Sequence, residues 1–87
     1  MPPSNKIDLV VVVSGQPTPI SANFNAPLHS IVGRALEATG NAGQPPENWE
    51  LRDKAGTPLD GSQKVKTFGF AAGDQVFLSL KAGVGGA

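Results

Sequence analysis

The chain contains no cysteine. That single absence removes a disulfide framework, a thiolate zinc site and a cysteine nucleophile. Histidine is nearly absent too: His29 is the only one, and no serine–acid pair is arranged with it in any known catalytic pattern. Acidic residues are scattered singly, which suggests neither a paired-carboxylate site nor a metal cluster. These absences point away from an enzyme and imply no cofactor and no bound metal. Charge is sparse, 16% of residues, and seven basic side chains balance seven acidic ones. The balance leaves no long-range positive field, so neither nucleic acid nor an anionic membrane surface is expected as a partner. The longest apolar run, Leu9 to Val13, is far short of the ~20 residues that span a bilayer. With no disulfides and no charged start leading into an apolar signal region, the expected location is intracellular and cytoplasmic. No internal repeat is visible.

What remains is a small globular domain. At 87 residues, 39% of them hydrophobic, there is room for one thin core that buries roughly 60–65% of the unfolded surface. The stretch KIDLVVVVSG reads as a strand. Ile7, Leu9, Val11 and Val13 should face one way, and Asp8, Val10 and Val12 the other. SGQPTP reads as a turn, and PISANFN alternates again, with Ile20, Ala22 and Phe24 on one side, so the two strands make a hairpin. The period then changes. Leu28, Ile31, Val32, Ala35, Leu36 and Thr39 recur at steps of three and four, with Asn25 as the expected N-cap, Pro27 early and Gly40 as a stop. NAGQPPEN is a loop. WELRD alternates around Trp49, Leu51 and Asp53, KAGTPLDG reads as a turn, and a last strand follows in which Val76, Leu78 and Leu80 share one face while Phe77, Ser79 and Lys81 share the other.

Neither a hairpin nor a single helix can bury its apolar face alone, so the helix is expected to pack across one face of a mixed sheet, with the last strand returning beside the first. The expected class is α+β: a β-grasp with a mixed four- to five-stranded sheet on one helix. Residues 6–81 would form the domain, 1–5 a flexible N-terminus and 82–87 a flexible C-terminal tail.

Over nearly its whole length the chain resembles ubiquitin and its relatives. The features that carry the resemblance are the opening hairpin, the helix beginning at PLHSIV, the stretch AGTPLDGSQKVKTFGF with Leu59, Asp60, Gly61, Phe68 and Phe70, and the closing QVFLSLKAGVGG. Among these relatives it is most similar to bacterial ubiquitin-like modifiers, which work with their own activating enzyme, conjugating enzyme and JAB-type metalloprotease. The resemblance implies that Gly85 and Gly86 are the diglycine through which such a modifier is activated and joined to target proteins. The modifier does no chemistry itself; its terminal carboxylate is the substrate, carried on a thread thin enough to enter a narrow channel. Glycine suits that thread because any Cβ would widen it and restrict φ. Ala87 follows the diglycine, so a protease is expected to trim the precursor between Gly86 and Ala87 before activation. Gly83 and Val84 stand where ubiquitin carries basic residues and leucine, which implies a dedicated activating enzyme.

Two other expectations concern the surface. Val10, Val12 and Phe77 should project from the sheet face away from the helix, the face through which ubiquitin is read by partners. Arg52 occupies the position of that patch's central isoleucine, so ubiquitin receptors are not expected to bind. Exposed apolar clusters on small proteins mark contact surfaces, which makes Val10, Val12, Arg52 and Phe77 the expected partner-binding surface. Lys6, Lys54, Lys64, Lys66 and Lys81 could accept a modifier and build chains. Two competing functions share the pattern. A sulfur carrier of the thiamine or molybdopterin type has the same fold and diglycine but ends at the glycine, and a plain interaction module would make no use of the tail.

Overall fold

The β-branched opening run forms β1, Lys6–Val13, and reverses directly into β2, Gln16–Asn23. Ser14 and Gly15 alone make the turn, with φ of 52° and 79°. Positive φ at both central residues is the geometry whose twist matches the two flanking strands. A side chain at Gly15 would have to hold the left-handed region. Gly15→Ala is therefore expected to cost about 1–2 kcal/mol, read as a lower urea midpoint at unchanged slope.

The sequence expectation extended this turn through SGQPTP. In the computed structural model, which describes residues 5–43 and 45–81, Pro17 and Pro19 instead lie within β2, opposite Val12 and Val10. The reason is position. The sheet order is β2-β1-β5-β3-β4 with β3 at Trp49–Arg52, β4 at Pro58–Leu59 and β5 at Gln75–Leu80, so β2 is an edge strand. Prolines are tolerated there because an edge strand has no second neighbour to donate to. Val10 directs its own N–H the other way, to the Asp74 carbonyl at 2.9 Å. Two missing donors also make this edge a poor template for adding a foreign strand.

The helical stretch divides into a 3-10 turn, Leu28–Ile31, and α1, Val32–Ala38. Asn25 does not cap it; the Asn25 N–H is itself donated to Asn23 Oδ1 at 2.8 Å. The first donors of the 3-10 turn are satisfied by a distant part of the chain, Leu28 N–H by the Gln63 carbonyl at 2.9 Å and His29 N–H by the Gly61 carbonyl at 3.0 Å. The same seam continues with Val65 N–H to Ala26 O and Lys66 N–H to Phe24 O. Tertiary backbone pairing thus replaces the side-chain cap that a lone helix needs. The helix ends where expected, at Thr39 and Gly40.

β5 lies parallel to β1, with Val11 beside Val76 and Val13 beside Leu78, and antiparallel to β3. The KAGTPLDG stretch holds β4, a fifth and very short strand beside Leu51 and Arg52. Between this sheet and α1 lies the core, in which Leu9, Val11, Val13, Ala35 and Val65 are fully buried and Leu36 is 1% exposed. Phe24 packs against this core only partly buried. Leu80 departs further from expectation: it points to the core side yet is 37% exposed. The β1 ladder stops at the Val13–Leu78 pair, so Leu80 has a strand neighbour only in Trp49 of β3.

Candidate functional site

Period two along the strands turns Val10 and Val12 of β1, Phe77 of β5 and Arg52 of β3 onto the face opposite α1. The register aligns them. Pro17 lies beside Val12, Val12 beside Phe77, Phe77 beside Arg52, and Arg52 beside Pro58, so one row crosses all five strands. Val10, Val12, Phe77 and Arg52 are each half-buried rather than freely exposed. Close cross-strand neighbours cover part of every side chain.

Arg52 does not stand out as a free cation. Its Nη2 donates to Glu50 Oε2 at 3.0 Å and its Nη1 to the Gly56 carbonyl at 2.8 Å. A half-exposed pair of this kind adds little stability, but it fixes where the guanidinium lies and offsets its charge on the sheet face. Sequence reasoning missed Pro17 and Pro58 as members of the row because proline was read as turn. The alternation of Pro17 and Pro19 with Thr18 and Ile20 was the available signal.

Gly85, Gly86 and Ala87 lie outside the described residues. What the structure describes is where their approach begins. β5 ends at Leu80, and the Lys81 N–H donates to the Asn48 carbonyl at 2.8 Å, at the start of β3. Gly85 follows four residues later in the sequence.

His29 is exposed, and its backbone N–H is committed to Gly61. Among the described residues no group of three or more His, Cys, Asp or Glu is placed to hold a metal ion, and no helix is long and apolar enough to cross a membrane. One carboxylate is tuned. The Ser62 hydroxyl donates to Asp60 Oδ1 at 2.6 Å and the Ser62 N–H at 3.0 Å. Those bonds hold the Asp60 carboxyl below its usual 3.8. Because the folded value is the lower one, the bonds help the turn at neutral pH, and that help is lost as pH falls through the acid range.

A mixed five-stranded sheet with one helix across it, a parallel β1–β5 pair and a seam that replaces the helix cap together define a ubiquitin-like β-grasp protein. The chain belongs to the family described as "Protein of Unknown function (DUF2604)", whose model matches residues 2–86. It is 57% identical over 82 residues to "Uncharacterized protein y4jI" of Sinorhizobium fredii (strain NBRC 101917 / NGR234), with 94% of this chain and 63% of that protein covered. The chain therefore spans less than two thirds of that relative's length. Among solved structures it is similar to a ubiquitin of Caldiarchaeum subterraneum, with a TM-score of 0.71 at 23% identity over 93% of this chain and 99% of that one. It is similar as well to the ubiquitin-like domain of Arabidopsis thaliana protein At2g32350, with a TM-score of 0.70 at 15% identity over 91% of this chain and 81% of that one. A de novo protein designed on ubiquitin matches with a TM-score of 0.75 at 14% identity, over 95% of this chain and 98% of the design. At these identities the structural likeness establishes the fold.

Proposed function

We propose that this chain is a ubiquitin-like protein modifier that acts as an acyl donor through the carboxylate of Gly86. Hydrolysis of the Gly86–Ala87 peptide bond, the work of a JAB-type metalloprotease, consumes one water and frees that carboxylate. An activating enzyme then joins it to the AMP of ATP with release of pyrophosphate. A thiolate of the activating enzyme next displaces AMP. The acyl group passes on to a conjugating enzyme and finally to a nucleophile on a target protein. The observation that carries this reading is the exit of the chain from the sheet. β5 is pinned at Lys81 beside the start of β3, and the diglycine comes only four residues after that anchor.

The test is a search of trypsin-digested lysate by mass spectrometry. Lys81 is the last site for trypsin before Gly86, so a conjugate leaves the remnant Ala-Gly-Val-Gly-Gly on the acceptor. Side chains bearing that remnant are the expected result. Their absence from cells that produce the protein in quantity would sink the proposal.

The row across the sheet is the surface by which the enzymes of this sequence would recognise the modifier, with Val10, Val12, Arg52 and Phe77 at its centre. Phe77→Ala is expected to cost about 1 kcal/mol or less in stability, since the ring is half-buried on the open face, and to weaken enzyme binding by more than tenfold if the ring is an aromatic anchor. Urea melting and a binding titration on the same variant separate the two effects. Unfolding with intact affinity in the remaining folded fraction would assign Phe77 to stability alone.

A further inference from the structure

The seam that replaces the helix cap runs through Asp60 and Gly61, and the fold makes a separate demand on each. A Cβ on residue 61 would stand 3.0 Å from the His29 Cβ and 3.2 Å from Leu51 Cδ1. His29 has no room to retreat, because its N–H is held by the Gly61 carbonyl at 3.0 Å. Close packing therefore keeps position 61 a glycine. Asp60 is kept by the turn: its Oδ1 accepts the Ser62 hydroxyl at 2.6 Å and the Ser62 N–H at 3.0 Å, and its carbonyl accepts the Gln63 N–H at 3.1 Å. Aspartate closes turns in this way because its side chain bonds the backbone two residues on. Among Asp8, Asp53, Asp60 and Asp74, only Asp60 precedes a glycine, and no asparagine does.

An aspartate before glycine is chemically fragile, since no side chain shields the glycine nitrogen. When that nitrogen attacks the aspartate Cγ, the N–Cγ bond forms, the Cγ–OH bond breaks, and the hydroxyl leaves as water with the amide proton. Water then adds to the cyclic imide. Where it breaks the bond from nitrogen to the main-chain carbonyl carbon, the chain continues through the former side chain as isoaspartate. One water leaves and one enters, so the mass is unchanged. The main chain gains one carbon between the Asp60 Cα and the Gly61 nitrogen, and the carbonyl that held Gln63 becomes a free carboxylate.

We infer that Asp60–Gly61 is a latent isoaspartate site that Ser62 keeps closed in the folded chain. Ring closure brings the Gly61 nitrogen onto Cγ, which requires the carboxyl to leave Ser62 and the peptide unit to turn away from Gln63 and His29. It also consumes the protonated acid. The Ser62 hydroxyl and then its N–H hold the Asp60 carboxyl below its usual 3.8, which keeps it ionised at neutral pH. Conversion would shift the Gly61 and Gln63 carbonyls away from the His29 and Leu28 N–H groups, which depend on them at the start of the 3-10 turn. The site is thus one at which chemical ageing would open the seam. The inference is independent of the conjugation reading and needs no partner.

Trypsin cuts after Lys54 and Lys64, so Asp60 is the one aspartate of the peptide 55–64. The intact chain is aged at neutral pH in buffer and in urea, then digested. The isoaspartate form of the peptide, equal in mass, is resolved by chromatography and counted by methyl transfer from an isoaspartate methyltransferase. The parent should convert more slowly in buffer than in urea. In buffer Ser62→Ala should convert about three- to tenfold faster than the parent, the ratio carried by one hydrogen bond for which water competes, while in urea the two rates should be equal. Ser62→Cys, near in size with a weak donor, takes its place if the alanine variant fails to fold. Ser62→Thr keeps the hydroxyl and should return to the parent rate. Gly15→Ala weakens the fold at a distant turn and should also keep the parent rate, which separates the Ser62 bonds from general loosening. Four results would overturn the inference: a parent that converts equally fast in buffer and in urea, Ser62→Ala at the parent rate in buffer, Ser62→Thr as fast as Ser62→Ala, or Gly15→Ala as fast as Ser62→Ala.

Discussion

Truncating Leu36 to alanine is expected to destabilise the domain by about 2–5 kcal/mol, the usual range for a buried leucine whose cavity closes only partly. Leu36 is 1% exposed on α1 and faces the sheet with Ala35 and Val32. A domain of 87 residues has a total stability of roughly 4–13 kcal/mol at the usual value per residue. One truncation therefore removes a large share of it. Urea denaturation followed by far-ultraviolet circular dichroism should show a lower midpoint with the slope retained, because the surface exposed on unfolding barely changes. A midpoint equal to the parent's would mean that α1 does not close the core through this side chain. Gly15→Ala provides the scale, since it alters backbone strain at a turn and leaves the core intact.

The other large effect is expected at the diglycine. Gly86→Val should abolish both trimming and activation. The two methyl groups widen the chain at its narrowest passage and restrict φ where an extended thread must enter a channel. A chain ending at Gly86 should form an adenylate and then a thioester with ATP and its activating enzyme, whereas one carrying residue 87 should do so only after protease is added. The measurement is the covalent enzyme intermediate on a non-reducing gel. Stability should be unchanged in both forms, because every core residue among the described residues precedes Lys81. Equal activation of the trimmed and untrimmed chains would remove the processing step from the proposal, and activation of Gly86→Val at the parent rate would remove the steric argument.

Much of the fold was legible because its causes are local. Strict alternation in β1 placed Leu9, Val11 and Val13 inward and Val10 and Val12 outward, and the helical period of Leu28, Ile31, Val32, Ala35 and Leu36 marked the face that is buried. The misplaced features share a different cause. Asn25 looked like a cap because a helix start needs acceptors, yet the carbonyls of Gly61 and Gln63 supply them from another part of the chain. Pro17 and Pro19 looked like turn residues because proline lacks a donor, yet at an edge strand no donor is missed. Leu80 kept the inward side of the alternation and still emerged exposed, because no β1 residue lies beside it.

The candidate site divides in the same way. Which side Val10, Val12 and Phe77 face follows from a period of two, and the thread Gly85–Gly86 follows from composition; both are readable one residue at a time. That Phe77 sits between Val12 and Arg52 and that Arg52 is tied to Glu50 and Gly56 depend on which strands became neighbours. The sequence by itself determined the opening hairpin, the helical stretch, the strands around Trp49 and Val76 and most of their buried faces, together with the glycine-rich approach to Gly86, because side-chain period and backbone freedom act over a few residues. Only the tertiary structure decided the order β2-β1-β5-β3-β4 and the partners of each exposed group. Parallel pairing of strands far apart in the chain is stabilised by a core that no short segment contains.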